Sequence, residues 1–350
     1  MPDAMVDSGI DAPPACTTSN TFGAELVFDV GATGTGFAVG NLDPGGKLDV
    51  AVAVTTEVVI LHGDGTGTVF NNPTKVATAA IGVAIEDFDI LDARKDLVLW
   101  GGNSVVVRRQ DGNPNPGTFL AEQPLAGPFQ NVTNVAVEFF DNGNLLADLI
   151  VQDELDRRVF EQLGTAGTFS RTNKTTGVAG DDLVVAREID GVNRADAMFV
   201  DQSGNVKLSV SSAGGALQAV TTIATGATGR AAAFGKFDGD ALVDLVVATA
   251  AGGVLYTQNA GAPGTFTQQP GTIPGVVGST LLVSDINMDG TDDIVVPGSV
   301  VLQCPGATPG IFTQVESLNS TAPALLVDLD ANGKPDLLRL VGTNLIVRLQ

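Results

Sequence analysis

The chain has little of what most catalytic centres and nucleic-acid interfaces are built from. Its 350 residues include one histidine, one tryptophan, one tyrosine and two cysteines. With no second histidine, a histidine-based metal centre is excluded, and a Ser-His-Asp triad would rest on His62 alone. That residue lies where a strand runs into the turn Gly63–Gly67, so it is expected to be a solvated turn histidine. Positive charge is scarce too: 18 Lys and Arg against 40 Asp and Glu give a net charge of −22. Nucleic acid and anionic membrane surfaces both demand a basic footprint, so neither is an expected partner. No apolar run reaches the roughly 18 residues that a membrane-spanning helix needs, and no long stretch carries helical periodicity. Cys16 and Cys304 stand far apart in an otherwise thiol-free chain, which fits one long-range disulfide or two inert thiols.

Against these absences stands a repeat. An Asp closes a short acidic loop and leads into an apolar run at Asp49, Asp96, Asp148, Asp196, Asp244, Asp293 and Asp336, a spacing of about 48 residues. Residues 281–297 read LLVSDINMDGTDDIVVP and residues 324–341 read ALLVDLDANGKPDLLRLV: a short apolar strand, a loop ending in Asp, then a second apolar strand. Each unit continues through a Gly-rich hairpin turn into further strands. One such unit cannot bury its own core, so the expectation is an all-β protein: a seven-bladed β-propeller of four-stranded antiparallel blades. The last unit ends one strand short. The stretch Ala24–Gly31 precedes the first unit without partners there, and placing it as the outer strand of the last blade closes the ring and removes both unpaired edges. On that arrangement Cys16 lies just before the closing strand, beside the blade that holds Cys304, where a disulfide would fasten the closure; buried free thiols are the alternative.

The expected organisation is therefore a tail over residues 1–21 and one propeller domain over 22–350. The tail is rich in Asp, Ala and Pro and has no hydrophobic core segment. Its texture is that of a linker following a lipoprotein anchor or a cleaved signal, which implies an extracellular or surface-anchored bacterial protein, with a plain disordered tail as the alternative.

Two loops carry a complete metal-ligand spacing. Asp285, Asn287, Asp289, Gly290 and Asp293 spell D-x-N-x-D-G-x-x-D, and Asp328, Asp330, Asn332, Gly333 and Asp336 spell D-x-D-x-N-G-x-x-D. Oxygens at positions 1, 3 and 5 can turn inward on a hard cation, Gly at 6 permits the reversal, and the carbonyl at 7 (Thr291, Lys334) plus the Asp at 9 complete the shell. Ca²⁺ suits such a flexible all-oxygen set. The alternative is that these side chains make Asx-turns that satisfy the loop's own amides. The other loops depart. Asn41, Asp43 and Asp49 form a weaker site with Gly45 at position 5, Lys236 replaces the first ligand of the fifth loop with an ammonium that could stand in for the ion, and Val192 occupies position 5 of the fourth. Two or three calcium ions are expected.

The loops and the recurring Gly-Thr-Phe turns at Gly117–Phe119, Gly167–Phe169 and Gly264–Phe266 resemble those of FG-GAP and VCBS repeat proteins, known from the integrin α-subunit propeller. The resemblance covers Phe22 to Gln350. It implies a propeller with calcium in the loops joining the first two strands of a blade.

The opposite face should carry Trp100, Asp153, Arg157, Arg158 and Arg230 as candidate ligand contacts. Isolated aromatics disfavour a multivalent lectin but leave room for one sugar site, and Trp100 can equally be interblade packing. The leading expectation is a monomeric binding or adhesion module for protein or glycan, with no catalytic residues assigned. A polysaccharide lyase or hydrolase using Asp and Arg of that face, or a structural spacer, are the alternatives.

Overall fold

The computed structural model describes residues 22–350 apart from 44, 89–93, 111–117, 141–145, 154–156, 163–168, 176–181, 192–193, 212–216, 229–230, 297–298, 304–311 and 318–323. Among the described residues there is no helix. Leu26–Asp29 (β1) opens the chain. Sheet 1 comprises Gly34–Gly40 (β2), Asp49–Val54 (β3), Glu57–Gly63 (β4) and Phe70–Val76 (β5). Sheet 2 comprises Gly82–Glu86 (β6), Asp96–Gly101 (β7), Ser104–Arg108 (β8) and Gln123–Pro124 (β9), and sheet 3 Asn134–Glu138 (β10), Asp148–Gln152 (β11), Arg157–Gln162 (β12) and Phe169–Thr175 (β13). Sheet 4 holds Asp182–Arg187 (β14), Asp196–Val200 (β15), Val206–Ser209 (β16) and Thr221–Ala224 (β17). In sheet 5 lie Ala232–Gly235 (β18), Asp244–Thr249 (β19), Gly252–Gln258 (β20) and Phe266–Gln268 (β21). Sheet 6 has Leu282–Ser284 (β22), Asp293–Val296 (β23), Ser299–Gln303 (β24) and Phe312–Ser317 (β25). Sheet 7 takes Ala324–Val327 (β26), Asp336–Val341 (β27) and Asn344–Arg348 (β28), with β1 as its fourth strand.

Every pairing is antiparallel, and all but one join consecutive strands: β1 pairs with β28, Leu26 opposite Val347 and Asp29 opposite Asn344. The expected outer strand of the last sheet is thus supplied by the N-terminal segment, trimmed at both ends. Arg348 fixes that segment. Its Nε donates to the Gly23 carbonyl at 2.7 Å, its Nη2 to the Phe22 carbonyl at 2.6 Å, and its guanidinium lies over the Phe22 ring. The same guanidinium pairs with Glu316 of sheet 6, while Arg339 pairs with Glu25.

The second strand of each sheet shows why continuous apolar runs follow the recurrent Asp. β3, β11, β15 and β23 are buried at every residue, so both faces need apolar side chains and the alternation of a half-exposed strand disappears. Among the described residues, seven apolar clusters lie between consecutive sheets. Phe88, Val107 and Leu149 join sheets 2 and 3, Met198 and Leu245 join 4 and 5, and Val52 with Leu338 joins sheet 7 to sheet 1. Each fully buried Val, Leu or Phe contributes about 1.5–3 kcal/mol, so the sheets are held chiefly by what lies between them. The first strands touch in sequence from β2 through β6, β10, β14, β18 and β22 to β26, and β27 touches β2.

Cys16 and Cys304 lie outside the described residues, as does the tail over 1–21. Among the described residues no helix is long and apolar enough to cross a membrane.

Candidate metal loops and the opposite face

The recurrent Asp is first of all a buried clamp. All seven are at most 2% exposed. In every sheet one carboxylate oxygen accepts the N–H of an apolar residue near the start of the loop: Leu42, Phe88, Phe140, Ile189, Phe237, Ile286 or Leu329. In five of them, among the described residues, the other oxygen accepts an N–H at or just beyond the end of the third strand, from Gly63, Gln110, Ser211, Gln258 or Gln350. The carboxylate therefore ties the loop to the neighbouring hairpin while the apolar residue beside it plugs the core. This role requires no ion, and it explains why the Asp persists in loops that have lost other ligand positions.

The sixth and seventh loops share one backbone. Met288 and Ala331 at position 4 adopt positive φ of 61° and 60°, as do Gly290 and Gly333 at position 6 with 91° and 86°. A left-handed residue is uncommon without a glycine, and here it twists the loop so that successive polar side chains turn inward. Asp285 accepts from the Asp289 and Gly290 amides, and Asp328 from the Asn332 and Gly333 amides, at 2.8–3.0 Å. Asp289 Oδ1 accepts from both the amide and the hydroxyl of Thr291, but its Oδ2 is buried without a hydrogen-bond partner. In the seventh loop Asp328, Asp330 and Asp336 bring carboxylate oxygens within 4.8 Å of one another. Burial, with Asp330 and Asp328 adding to it, pushes Asp336 above the usual carboxylate range against the amides that favour its charge.

The other loops diverge as their sequences do. Glu188, Asp190 and Asp196 also converge within 4.8 Å, and burial raises Asp196 to about 7. In the fifth loop Asp238 and Asp240 make consecutive Asx-turns to the Asp240 and Leu242 amides. Lys236 there is exposed, its amide donates to Asp292 across the sheet boundary, and among the described residues its ammonium is placed in no ion pair with the loop's carboxylates. In the first loop Asp43 and Asp49 converge with His62, and the Asp43 amide donates to Asn41 Oδ1.

His62 is the clearest departure from expectation. It is 6% exposed, because β4 continues through to Gly63 and keeps the ring inside the sheet instead of releasing it into the turn. Its Nε2 lies 2.9 Å from Thr74 Oγ1, and its Nδ1 lies 3.5 Å from Asp49 and 3.9 Å from Asp43. The only sequence signal for its burial is the unbroken apolar run Val58–Leu61 that leads into it.

On the opposite face, Trp100 is half-buried and packs on the cluster between sheets 2 and 3, across Gly82, where an added Cβ would come within 2.2 Å of the indole. With Thr35, Phe37, Thr133 and Asn134 it lines a cavity of 350 Å³ at the first strands of sheets 1 to 3. Asp153, expected as a ligand contact, is instead 5% exposed and accepts the Gln130 amide at 3.0 Å, which makes it a loop clamp. Arg157 and Arg158 begin β12 on that face, and Arg230 lies outside the described residues.

Residues 236–296 match the FG-GAP-like repeat family. No curated protein matches the sequence. Among solved structures, an Agrocybe aegerita lectin described for its recognition of non-reducing terminal N-acetylglucosamine is similar at a TM-score of 0.60 and 16% identity, over 85% of this chain and 80% of that one. Saccharomyces cerevisiae Sqt1 is similar at 0.60 and 11%, over 94% and 100%. The Dos1 propeller is similar at 0.54 and 9%, over 94% and 95%. Similarity at these identities establishes the β-propeller fold and nothing of activity.

Proposed function

We propose that this chain, an all-β propeller whose residues 236–296 form an FG-GAP-like repeat, is a calcium-stabilised binding module that takes a glycan ligand on the face opposite its acidic loops. The seven sheets form one closed seven-bladed ring over residues 22–350; in support, seven apolar clusters each bridge two consecutive sheets, and β27 touches β2. The observation that carries the calcium reading is the shared left-handed geometry of the sixth and seventh loops, with a buried, unpartnered Asp289 oxygen in one of them. A cation supplies the missing partner. Asp285, Asn287, Asp289, the Thr291 carbonyl and Asp293 would hold one ion, and Asp328, Asp330, Asn332, the Lys334 carbonyl and Asp336 a second. Short, solvent-facing loops of this kind suit the high calcium of the extracellular space, which agrees with an exported protein.

The cavity beside Trp100 combines an aromatic face with the hydroxyls of Thr35 and Thr133 and the amide of Asn134, the mixture that stacks and orients a sugar ring. A lectin of this fold reads terminal N-acetylglucosamine, so glycans are the first class to test. The test is thermal unfolding after chelation and across a calcium titration, paired with glycan-array binding. A saturable rise in Tm with calcium, and array binding lost in W100A, are expected. No calcium shift and no bound glycan would overturn the reading.

A further inference from the structure

We propose that the first loop is a site of a different kind from the sixth and seventh: Asp43, Asp49 and His62 form a mixed nitrogen and oxygen site for a divalent transition-metal ion, zinc being the type. The single histidine excludes only a centre built on several imidazoles; here two carboxylates complete the set, and the inference stands whether or not the other loops hold calcium.

Three observations converge. First, His62 is the chain's one histidine, is 6% exposed, and its Nδ1 is buried without a hydrogen-bond partner while facing two carboxylates. The separations of 3.5 Å to Asp49 Oδ1 and 3.9 Å to Asp43 Oδ2 are too long for hydrogen bonds. They are close to the edge of a tetrahedron around an ion with ligands at about 2.1 Å, which is about 3.4 Å. Second, each ligand is already oriented. Asp43 spends Oδ1 on the Gly45 amide, leaving Oδ2 directed at the histidine. Asp49 is held through both oxygens by the Leu42 and Gly63 amides, each oxygen keeping a lone pair. His62 engages Thr74 through Nε2, which fixes the ring and puts the Nδ1 lone pair towards the acids when Nε2 carries the proton. Third, Asp43, His62, Gly63, Asn71 and Thr74 line a cavity of 460 Å³, which gives room for water or an exogenous ligand at the open fourth position.

The same loop is a poor calcium site. Gly45 stands where position 5 needs an oxygen, and a Cβ there would come within 2.8 Å of Asp43 Oδ1. Imidazole nitrogen favours the borderline transition metals over calcium. Lys47, on the cavity rim, donates its ammonium to the Asp64 carbonyl and not to the carboxylates. Continuing each strand register by one residue sets His62 opposite Asp49, whereas the corresponding places in sheets 2, 4, 5 and 7 hold Arg109, Val210, Thr257 and Leu349. The nitrogen donor is therefore particular to the first loop.

A single histidine makes the test direct. The untagged, metal-stripped full chain labelled with ¹⁵N gives one imidazole in a long-range ¹H–¹⁵N spectrum. Zinc chloride should shift Nδ1 to the metal-bound range, leave Nε2 protonated, and saturate at one equivalent in the presence of millimolar calcium. By calorimetry, H62Q should lose zinc affinity by about 100-fold or more, with its calcium titration unchanged. An Nδ1 that does not move in excess zinc overturns the proposal. So does an H62Q chain that binds zinc with the parent's affinity and stoichiometry. Should H62Q not fold, the spectrum of the unmodified chain decides alone. The calcium titration is read separately, so failure at this site is distinct from failure of the calcium sites.

Discussion

Asp244→Asn isolates the clamp from any metal, because the fifth loop presents an exposed Lys236 where the first ligand would be. Asp244 is fully buried, with Oδ2 accepting the Phe237 amide at 2.9 Å and Oδ1 the Gln258 amide at 3.0 Å. Asparagine keeps the volume and one acceptor but turns an NH₂ towards the other amide, leaving a buried donor without a partner. That costs about 1–3 kcal/mol. Burial pushes Asp244 up to about 6 in the folded protein, so near pH 7 the wild type carries a desolvated charge that the neutral amide escapes. A folded pKa raised above its unfolded value means that the stability associated with the protonated group is fully present below about pH 4. It is lost as pH rises towards 6. The deficit of D244N should therefore be small near pH 7 and widen towards pH 4.5. Urea midpoints at both pH values, with D240N as the exposed control, measure it. A variant within about 0.5 kcal/mol of wild type at pH 4.5, or a deficit that narrows on acidification, would refute the clamp.

Other outcomes follow from the same geometry. R348A removes two hydrogen bonds and a ring contact to the segment Phe22–Gly23, and should cost about 2–3 kcal/mol and expose residues near 22–30 to limited proteolysis, with R348K intermediate. In metal-free protein Asp196, raised to about 7 by burial, should make stability fall as pH rises between about 4 and 7, and D196N should flatten that slope in urea titrations. W100F, which keeps packing against the cluster between sheets 2 and 3, should leave the Tm within a few degrees and weaken glycan binding, read on the array.

The repeat was legible because its spacing is a property of the chain itself. Asp49 through Asp336 mark where the largely buried second strands begin, and counting strands puts the orphan segment Ala24–Gly31 at the edge of the last unit, where Leu26–Asp29 pairs with β28. What spacing does not carry is the direction a side chain takes at a strand end. His62 reads as a turn residue next to Gly63, yet one further residue of β4 turns it inward onto Asp49. Asp153 reads as a loop acid but is folded under the Gln130 amide. The clamp role of the recurrent Asp was hidden for another reason: its second partner lies about 14 residues downstream, and only the third dimension joins Asp244 to Gln258 or Asp336 to Gln350. Arg348 was silent because its partners are carbonyls at the far end of the chain.

The sixth and seventh loops are proposed to be ion sites and not merely self-satisfied turns. Calcium stoichiometry by equilibrium dialysis separates the two readings, measured on the wild-type chain, on D285A and D328A singly, and on the double variant. Two equivalents are expected for the wild type, one for each single variant and none for the double. A wild-type chain that binds no calcium, or a double variant that binds as much as the parent, would contradict the proposal.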